Sequence, residues 1–226
     1  MEKIEIGDCT LYNADCKLIL PTLTGIDCVI TDPVWPNCNV TMPGSDRPDD
    51  LFCEFCKIVP HVASRLVVQL GCDTDPRFLR WVLPSMPFLR VCWLEYACPT
   101  YKGRLLHTGD VAYVFGEWPK PGLGRMVLPG RCISSVMERS EPRVNPNKEK
   151  GKRDLPHPCA RRLQHVSWLV NWFGENSVCD PFMGSGTTGV ACARLGRKFV
   201  GIEIEKKYFD IACDRIQREV DQGKLF

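Results

Sequence analysis

The stretch SVCDPFMGSGTTGVACARLGRKFVGIEIE, residues 177–205, decides the fold. A short apolar strand ends on Asp180 and a glycine-rich turn follows. A helix then opens near Thr187 and stops at Gly196, the residue type that most readily caps a helix C-terminus. The next apolar run, KFVGIEI, ends on Glu203, 19 residues beyond Gly184. Strand, tight turn, helix, strand and acid in this order form a β-α-β unit whose second strand presents a carboxylate to ribose hydroxyls.

The turn departs from a phosphate cradle. It reads G-S-G-T-T, and Asp180 stands just ahead of it. A carboxylate there repels a pyrophosphate and suits a cationic or amino-bearing ligand. S-adenosylmethionine combines a ribose, for Glu203, with a sulfonium centre and an ammonium group for the acidic neighbours. The candidate cofactor-binding residues of this half are Asp180, Phe182, Gly184, Gly186, Thr187 and Glu203.

Upstream, the same rhythm of strands and helices repeats. Strand-like runs occur at TLYNA, DCVIT, RLVVQL, FLRVCWLEY and VAYVFG, with helix-length segments at 47–62, 75–83, 158–173 and 206–220 and a short one at CKLILPTL. Alternation of this kind predicts an α/β domain built on a doubly wound, mostly parallel sheet with helices on both faces. FLRVCWLEY and VAYVFG have no helix between them, so an antiparallel excursion at one edge is expected. At 226 residues the chain suits a single domain, 1–226. Residues 119–155, rich in Pro, Gly, Arg and Lys, interrupt the rhythm and read as an insertion.

The stretch TDPVWPN, residues 31–37, closes the strand DCVIT in an unusual way. Pro33 and Pro36 fix their own φ and bias Asp32 and Trp35 away from helix, so the chain leaves the strand as a stiff extended turn. The turn presents one anionic acceptor and one large aromatic face, an arrangement suited to a flat ligand.

Charge is unevenly spread. Residues 119–162 hold eleven Lys or Arg against four acids, a balance of +7, and the rest of the chain holds eighteen against twenty-three, or −5. A basic segment on an acidic domain is the footprint of a polyanion partner. The fourteen cysteines sit largely inside apolar strand and helix patterns, where free thiols behave as small hydrophobes and fit a reducing compartment. Cys53 and Cys56 form a C-x-x-C near His61, but no second pair with zinc spacing exists and the segment reads as an amphipathic helix, so no metal is expected. No apolar run approaches the roughly 20 residues of a membrane span, and the start MEKIEIGDC is charged where a signal peptide is apolar. A soluble, cytoplasmic protein is expected.

Together, Asp-Pro-x-aromatic after one strand and Asp-Pro-Phe-x-Gly-x-Gly after another resemble the DNA amino-methyltransferases. Asp32, Pro33, Val34 and Trp35 match that family's Asp-Pro-Pro-Tyr tetrapeptide with two substitutions. YNADC at 12–16 is similar to its Gly-Asp-Cys segment, with Ala14 in place of Gly, and adds Asp15 and Cys16 to the cofactor-binding candidates. HPCARRL at 157–163 is similar to its His-Pro segment, with Arg161 and Arg162 where Lys-Pro is usual. The order, catalytic motif, basic insertion, cofactor motif, resembles the circularly permuted beta group.

The resemblance implies a seven-stranded S-adenosylmethionine-dependent methyltransferase fold of Rossmann-like type, with 119–155 as target-recognition insertion. It also implies a bacterial or phage-infected host cell and a restriction-modification or orphan methylase, with a dimer as one open assembly. DNA is the expected partner, contacted by Arg131, Arg143, Lys150, Lys152 and Arg153. The expected reaction is methylation of adenine N6. Cytosine N4 is the alternative, and a catalytically silent nucleic-acid binder the alternative of another class.

The chemistry accounts for the catalytic candidates Asp32, Pro33 and Trp35. An exocyclic amino nitrogen is a poor nucleophile because its lone pair is delocalised into the ring. If Asp32 and the Pro33 carbonyl accept its two hydrogens, a pyramidal nitrogen is favoured, and the carboxylate stabilises the positive charge that develops during transfer. Trp35 offers a stacking face to a base rotated out of the duplex, where stacking contributes roughly 1–3 kcal/mol.

Overall fold

The computed structural model describes residues 1–37, 41–102, 104–120, 129–134 and 161–223. Its strands are β1 (Glu2–Ile6), β2 (Cys9–Asn13), β3 (Ile26–Thr31), β4 (Ala63–Gly71), β5 (Phe88–Lys102), β6 (Leu105–Gly116), β7 (Arg131–Ile133), β8 (Ser177–Asp180) and β9 (Lys198–Glu203). They form one sheet in the order β1-β2-β9-β8-β3-β4-β6-β5-β7. The pairings from β2 through β4 are parallel, β4, β6 and β5 pair antiparallel, and β7 adds in parallel to β5.

Among the described residues the sheet thus has nine strands where seven were expected. The two additions are the edges. In β1, Ile4 and Ile6 alternate with a single acid, too short a run for a period of two to stand out, and β7 has three residues. Both edges find stability only by pairing with a longer neighbour. The antiparallel excursion is present, with β6 lying between β4 and β5.

The helices are α1 (Cys16–Ile19), α2 (Pro48–Val62), α3 (Leu163–Phe173), α4 (Thr187–Arg194) and α5 (Lys206–Gly223). Residues 76–81, within an expected helix, form a shorter 3-10 turn started by Asp75, whose carboxylate accepts from the Arg77 N–H. Both faces of the sheet are covered because strand side chains alternate. Val67 and Val114 lie on the face that carries Val166, Leu169 and Val170 of α3 and, further along the sheet, Phe209 and Ile216 of α5. Leu66, Val68 and Leu70 turn toward Phe52, Phe55 and Val59 of α2.

The described cysteines are free thiols. Burial pushes Cys9 up to about 11 and Cys28 up to about 12, so both remain protonated and serve as core packing. Cys56 is buried in the α2 core cluster and Cys53 is half-buried on the same helix. No described helix is long and apolar enough to cross a membrane.

Two chain reversals meet at the carboxyl ends of β8 and β3. From β8 the chain crosses by α4 on one face to β9; from β3 it crosses by α2 on the opposite face to β4. At such a switch point the two connections diverge and leave a crevice, the usual ligand position in open α/β sheets.

At the opposite end of the sheet, Arg65 of β4 is almost wholly buried. It donates to the carbonyls of Glu117 and Phe173, each at 2.7 Å, and to the Glu175 carboxylate at 2.9 Å. It thereby ties β4, the end of β6 and the end of α3. Arg65→Met keeps the apolar volume and removes all three bonds. We expect it to lower the unfolding free energy by about 3 kcal/mol or more, read from urea denaturation, because the Glu175 carboxylate loses its cation and two carbonyls lose their donor.

Candidate active site

Asp180 joins the two halves of the crevice. Its Oδ1 accepts from the Thr31 hydroxyl at 3.0 Å and the Phe182 N–H at 3.1 Å, and its Oδ2 from the Thr188 hydroxyl at 2.6 Å. One buried side chain therefore fastens β3, the glycine turn and α4 together. Burial pushes its carboxyl up to about 7 against the pull of those hydrogen bonds, and Asp32 nearby adds to the rise.

In the turn that follows, Gly184 (φ 51°) and Gly186 (φ 79°) both adopt the left-handed conformation. The Gly184 N–H donates to Glu203 Oε2 at 2.9 Å, and the Glu205 N–H donates to Glu203 Oε1 at 2.8 Å. Two backbone donors thus aim the buried carboxylate of Glu203, whose remaining lone pairs stay available to hydroxyls. Gly186 works from behind. A Cβ there would lie 2.8 Å from the Ala212 Cβ of α5, so this glycine lets the turn sit on α5, and it is not part of the cavity wall.

The crevice encloses a cavity of about 310 Å³. Its wall includes Asp15, Cys16, Phe182, Gly184, Thr187 and Glu203 on one side and Asp32, Pro33 and Trp35 on the other. Asp15 caps α1 by accepting from the Lys17 N–H at 2.9 Å, and Cys16 packs into the core just behind it. Phe182 meets the edge of Phe55 at 5.6 Å between ring centres, which holds it against α2. Two sequence segments 150 residues apart are thus brought to one pocket.

The catalytic candidates carry an occupant that sequence reasoning missed. Arg161 donates from Nε to Asp32 Oδ2 at 2.6 Å and from Nη2 to Asp32 Oδ1 at 2.8 Å. Its guanidinium carbon stands 4.2 Å from the centre of the Trp35 ring, and its Nη1 reaches Asp110 Oδ2 at 3.0 Å. Asp110 in turn accepts from the Tyr96 hydroxyl at 2.7 Å, and Arg162 covers the Tyr96 ring at 4.2 Å. Burial pushes the Asp32 carboxyl up to about 6 despite Arg161. Burial also works against the charge of Arg161, but Asp32 and Asp110 hold it above its ordinary value. The signal for this residue was present as the departure from Lys-Pro at 161–162; its partner lies 129 residues away.

Of the DNA-binding candidates, Arg131 is exposed on edge strand β7 and pairs with Glu95 at 2.7 Å, away from the cavity. Arg143, Lys150, Lys152 and Arg153, with most of 119–155, lie outside the described residues. Among the described residues no cluster of three or more His, Cys, Asp or Glu is arranged to hold a metal ion.

The mostly parallel sheet with this switch point is a fold shared with solved structures that include a DNA methyltransferase. PvuII DNA methyltransferase (cytosine-N4-specific) overlays it with a TM-score of 0.67 at 17% identity, covering 96% of this chain and 91% of that one. M1.HpyAVI, solved as a complex with S-adenosylmethionine, overlays with 0.64 at 22% identity, covering 92% and 98%. The sequence matches the DNA methylase family model over residues 140–214. Type II methyltransferase M2.LlaDCHI of Lactococcus lactis subsp. cremoris is 54% identical over 46 residues, which span 20% of this chain and 17% of that relative. The family match spans the segment that carries the cofactor motif, in agreement with the DNA amino-methyltransferases that the two motifs resemble.

The raised pKa of Asp180 has a consequence for stability. A carboxyl that binds its proton more tightly in the fold than in the unfolded chain favours the fold at low pH, below about 4. That contribution is lost as pH rises through about 7. Asp180→Asn retains an acceptor for Thr31 and Phe182 and carries no charge. The variant should gain on the wild type between pH 5 and 8, by up to about 4 kcal/mol, in denaturation curves measured at each pH. Parallel pH profiles for the two proteins would refute the assignment.

Proposed function

We propose that this protein transfers a methyl group from S-adenosylmethionine to the exocyclic N6 of adenine in DNA. The observation that carries the reading is the single cavity shared by the Glu203 and Asp15 side and the Asp32 and Trp35 side. Five acids line it, Asp15, Asp32, Asp180, Glu203 and Glu205, which suits a ligand bearing a sulfonium and an ammonium group. Its size falls at the lower end of the range for small-molecule sites. Glu203 would hold the ribose hydroxyls, Phe182 the adenine ring and Asp15 with Asp180 the cationic part. When bound, the cofactor supplies an electrophilic methyl carbon.

The chain's own residues do the rest. Asp32 and the Pro33 carbonyl accept the two amino hydrogens, orient the nitrogen lone pair and stabilise the charge that develops on it. Trp35 stacks on the base. Arg161 now holds the position that the base requires: a flat cation with in-plane N–H donors against Asp32, stacked on Trp35. The base must displace it, and the bond to Asp110 gives Arg161 a second anchor during that exchange. Departure of Arg161 leaves two carboxylates facing an amino group that becomes positive, which favours the transition state over the ground state.

Adenine is favoured because the tetrapeptide opens with Asp32; cytosine N4 is the second reading, supported by the overlay with a cytosine-N4-specific enzyme. Arg131, Arg143, Lys150, Lys152 and Arg153 are proposed to contact DNA phosphates.

Long-read sequencing of DNA from cells expressing the protein reads the modified base and its context together. N6-methyladenine is expected, N4-methylcytosine selects the second reading, and unmodified DNA refutes methylation. Asp32→Ala should lose about 10²–10³-fold in tritiated methyl incorporation while binding S-adenosylmethionine as tightly as the wild type. In parallel, Arg161→Ala should bind free 2-aminopurine deoxyriboside about tenfold more tightly than the wild type, read from fluorescence quenching, because the competing guanidinium is gone. Equal affinities would show that Arg161 does not occupy the base position.

A further inference from the structure

Gln69, near the end of β4, is 3% exposed, and its Nε2 makes no hydrogen bond among the described residues although the side chain lines the cavity. Buried amide donors are nearly always paired, so this one calls for a partner that the chain itself does not supply. Its position is defined by the sheet. Thr31 pairs in register with Val68, which sets Asp32, the next residue, beside Gln69 at the crevice edge. Gly71, two residues further on, pairs with Asp110 and lies directly beneath the Trp35 ring: a Cβ there would come within 3.0 Å of Trp35 Cζ3. Residues 69 and 71 share a face of β4, so the Gln69 amide sits on the floor of the space bounded by Asp32, Asp110 and Trp35.

We propose that Gln69 is a specificity-determining residue that donates an N–H to the ring nitrogen bonded to the amino-bearing carbon of the target base. The inference rests on the base-methylation reading above and names the edge that the site reads. Asp32 takes hydrogens from the amino group, and Gln69 gives one to the neighbouring ring nitrogen. Adenine, through N6 and N1, and cytosine, through N4 and N3, both present that donor-acceptor pair. Thymine and guanine carry an N–H on the corresponding ring nitrogen, which would meet the Gln69 donor head on. A site with a buried donor discriminates strongly against a ligand that leaves the donor unmade.

The test uses wild type, Gln69→Met and Gln69→Leu, each loaded with S-adenosylhomocysteine and titrated by NMR with three nucleosides: 2′-deoxyadenosine, its 1-deaza analogue and its 7-deaza analogue. Wild type should bind 2′-deoxyadenosine and the 7-deaza compound alike, and the 1-deaza compound about tenfold more weakly, a loss of about 1.4 kcal/mol. Gln69→Met, similar in volume and without a donor, should bind all three equally. Gln69→Leu also lacks a donor, so it should lose the preference too and decides the matter if the methionine variant fails to fold.

Absence of nucleoside binding to wild type, equal binding of the 1-deaza compound, or a preference that survives in the variants would overturn the assignment. Methyl incorporation into DNA is measured on the same samples. Methyl transfer without the N1 preference removes Gln69 and leaves the proposed function standing; the preference without methyl transfer does the reverse.

Discussion

The three hydrogen bonds of Asp180 are the constraint on which the rest of the site depends. Thr31 lies on the strand that leads into the proposed catalytic turn, Phe182 begins the glycine turn, and Thr188 belongs to the helix behind it. Both motifs are thereby held to one side chain, and the distance between them is set by strand spacing and a pair of hydroxyls. A carboxylate in this position is costly to bury as an anion. The burial is compensated by donors from three separate elements, and a protonated state is close at hand near neutral pH.

Electrostatics divide the cavity into two regions. On the Glu203 side, the acids are aimed by backbone N–H groups and have no basic side chain among the hydrogen bonds that fix them. On the Asp32 side, one guanidinium balances two carboxylates and covers an aromatic face. Planar cation stacking with bidentate hydrogen bonding is the strongest recognition a carboxylate and a ring can offer together. The same features suit a flat nucleobase bearing an amino group, which is why an arginine can rest there without strain. The Gln69 amide donor, which makes no hydrogen bond among the described residues, has no counterpart on the guanidinium, which carries no acceptor.

The β-α-β unit at 177–205 was legible from its residues because its interactions are local. The strand, the turn glycines, the helix stop at Gly196 and the acid at Glu203 lie within thirty residues, and each has a conformational or hydrogen-bonding reason of its own. The stiff turn at 31–37 was legible for the same reason, since proline acts on its own neighbours. Gly186 shows the limit of such reading: its need for glycine was apparent, but the neighbour that imposes it, Ala212, lies on another helix. The edge strands β1 and β7 were not apparent because their stability comes from pairing with partners.

Sequence alone determined the class of fold, the two motifs and the residue types that carry the proposed chemistry, because backbone preference, hydrophobic period and spacing act over short stretches. Tertiary structure alone decided which groups meet across the sheet. Arg161 reaches Asp32 and Asp110 from the entry to α3, and Gln69 comes to lie beside Asp32 through strand register. Nothing in the residues flanking 161 or 69 encodes those meetings, since each requires parallel strands to align their carboxyl ends and a helix to dock across them. The physical reason is that a buried charge or amide takes its identity from its partners, and partners are chosen by packing.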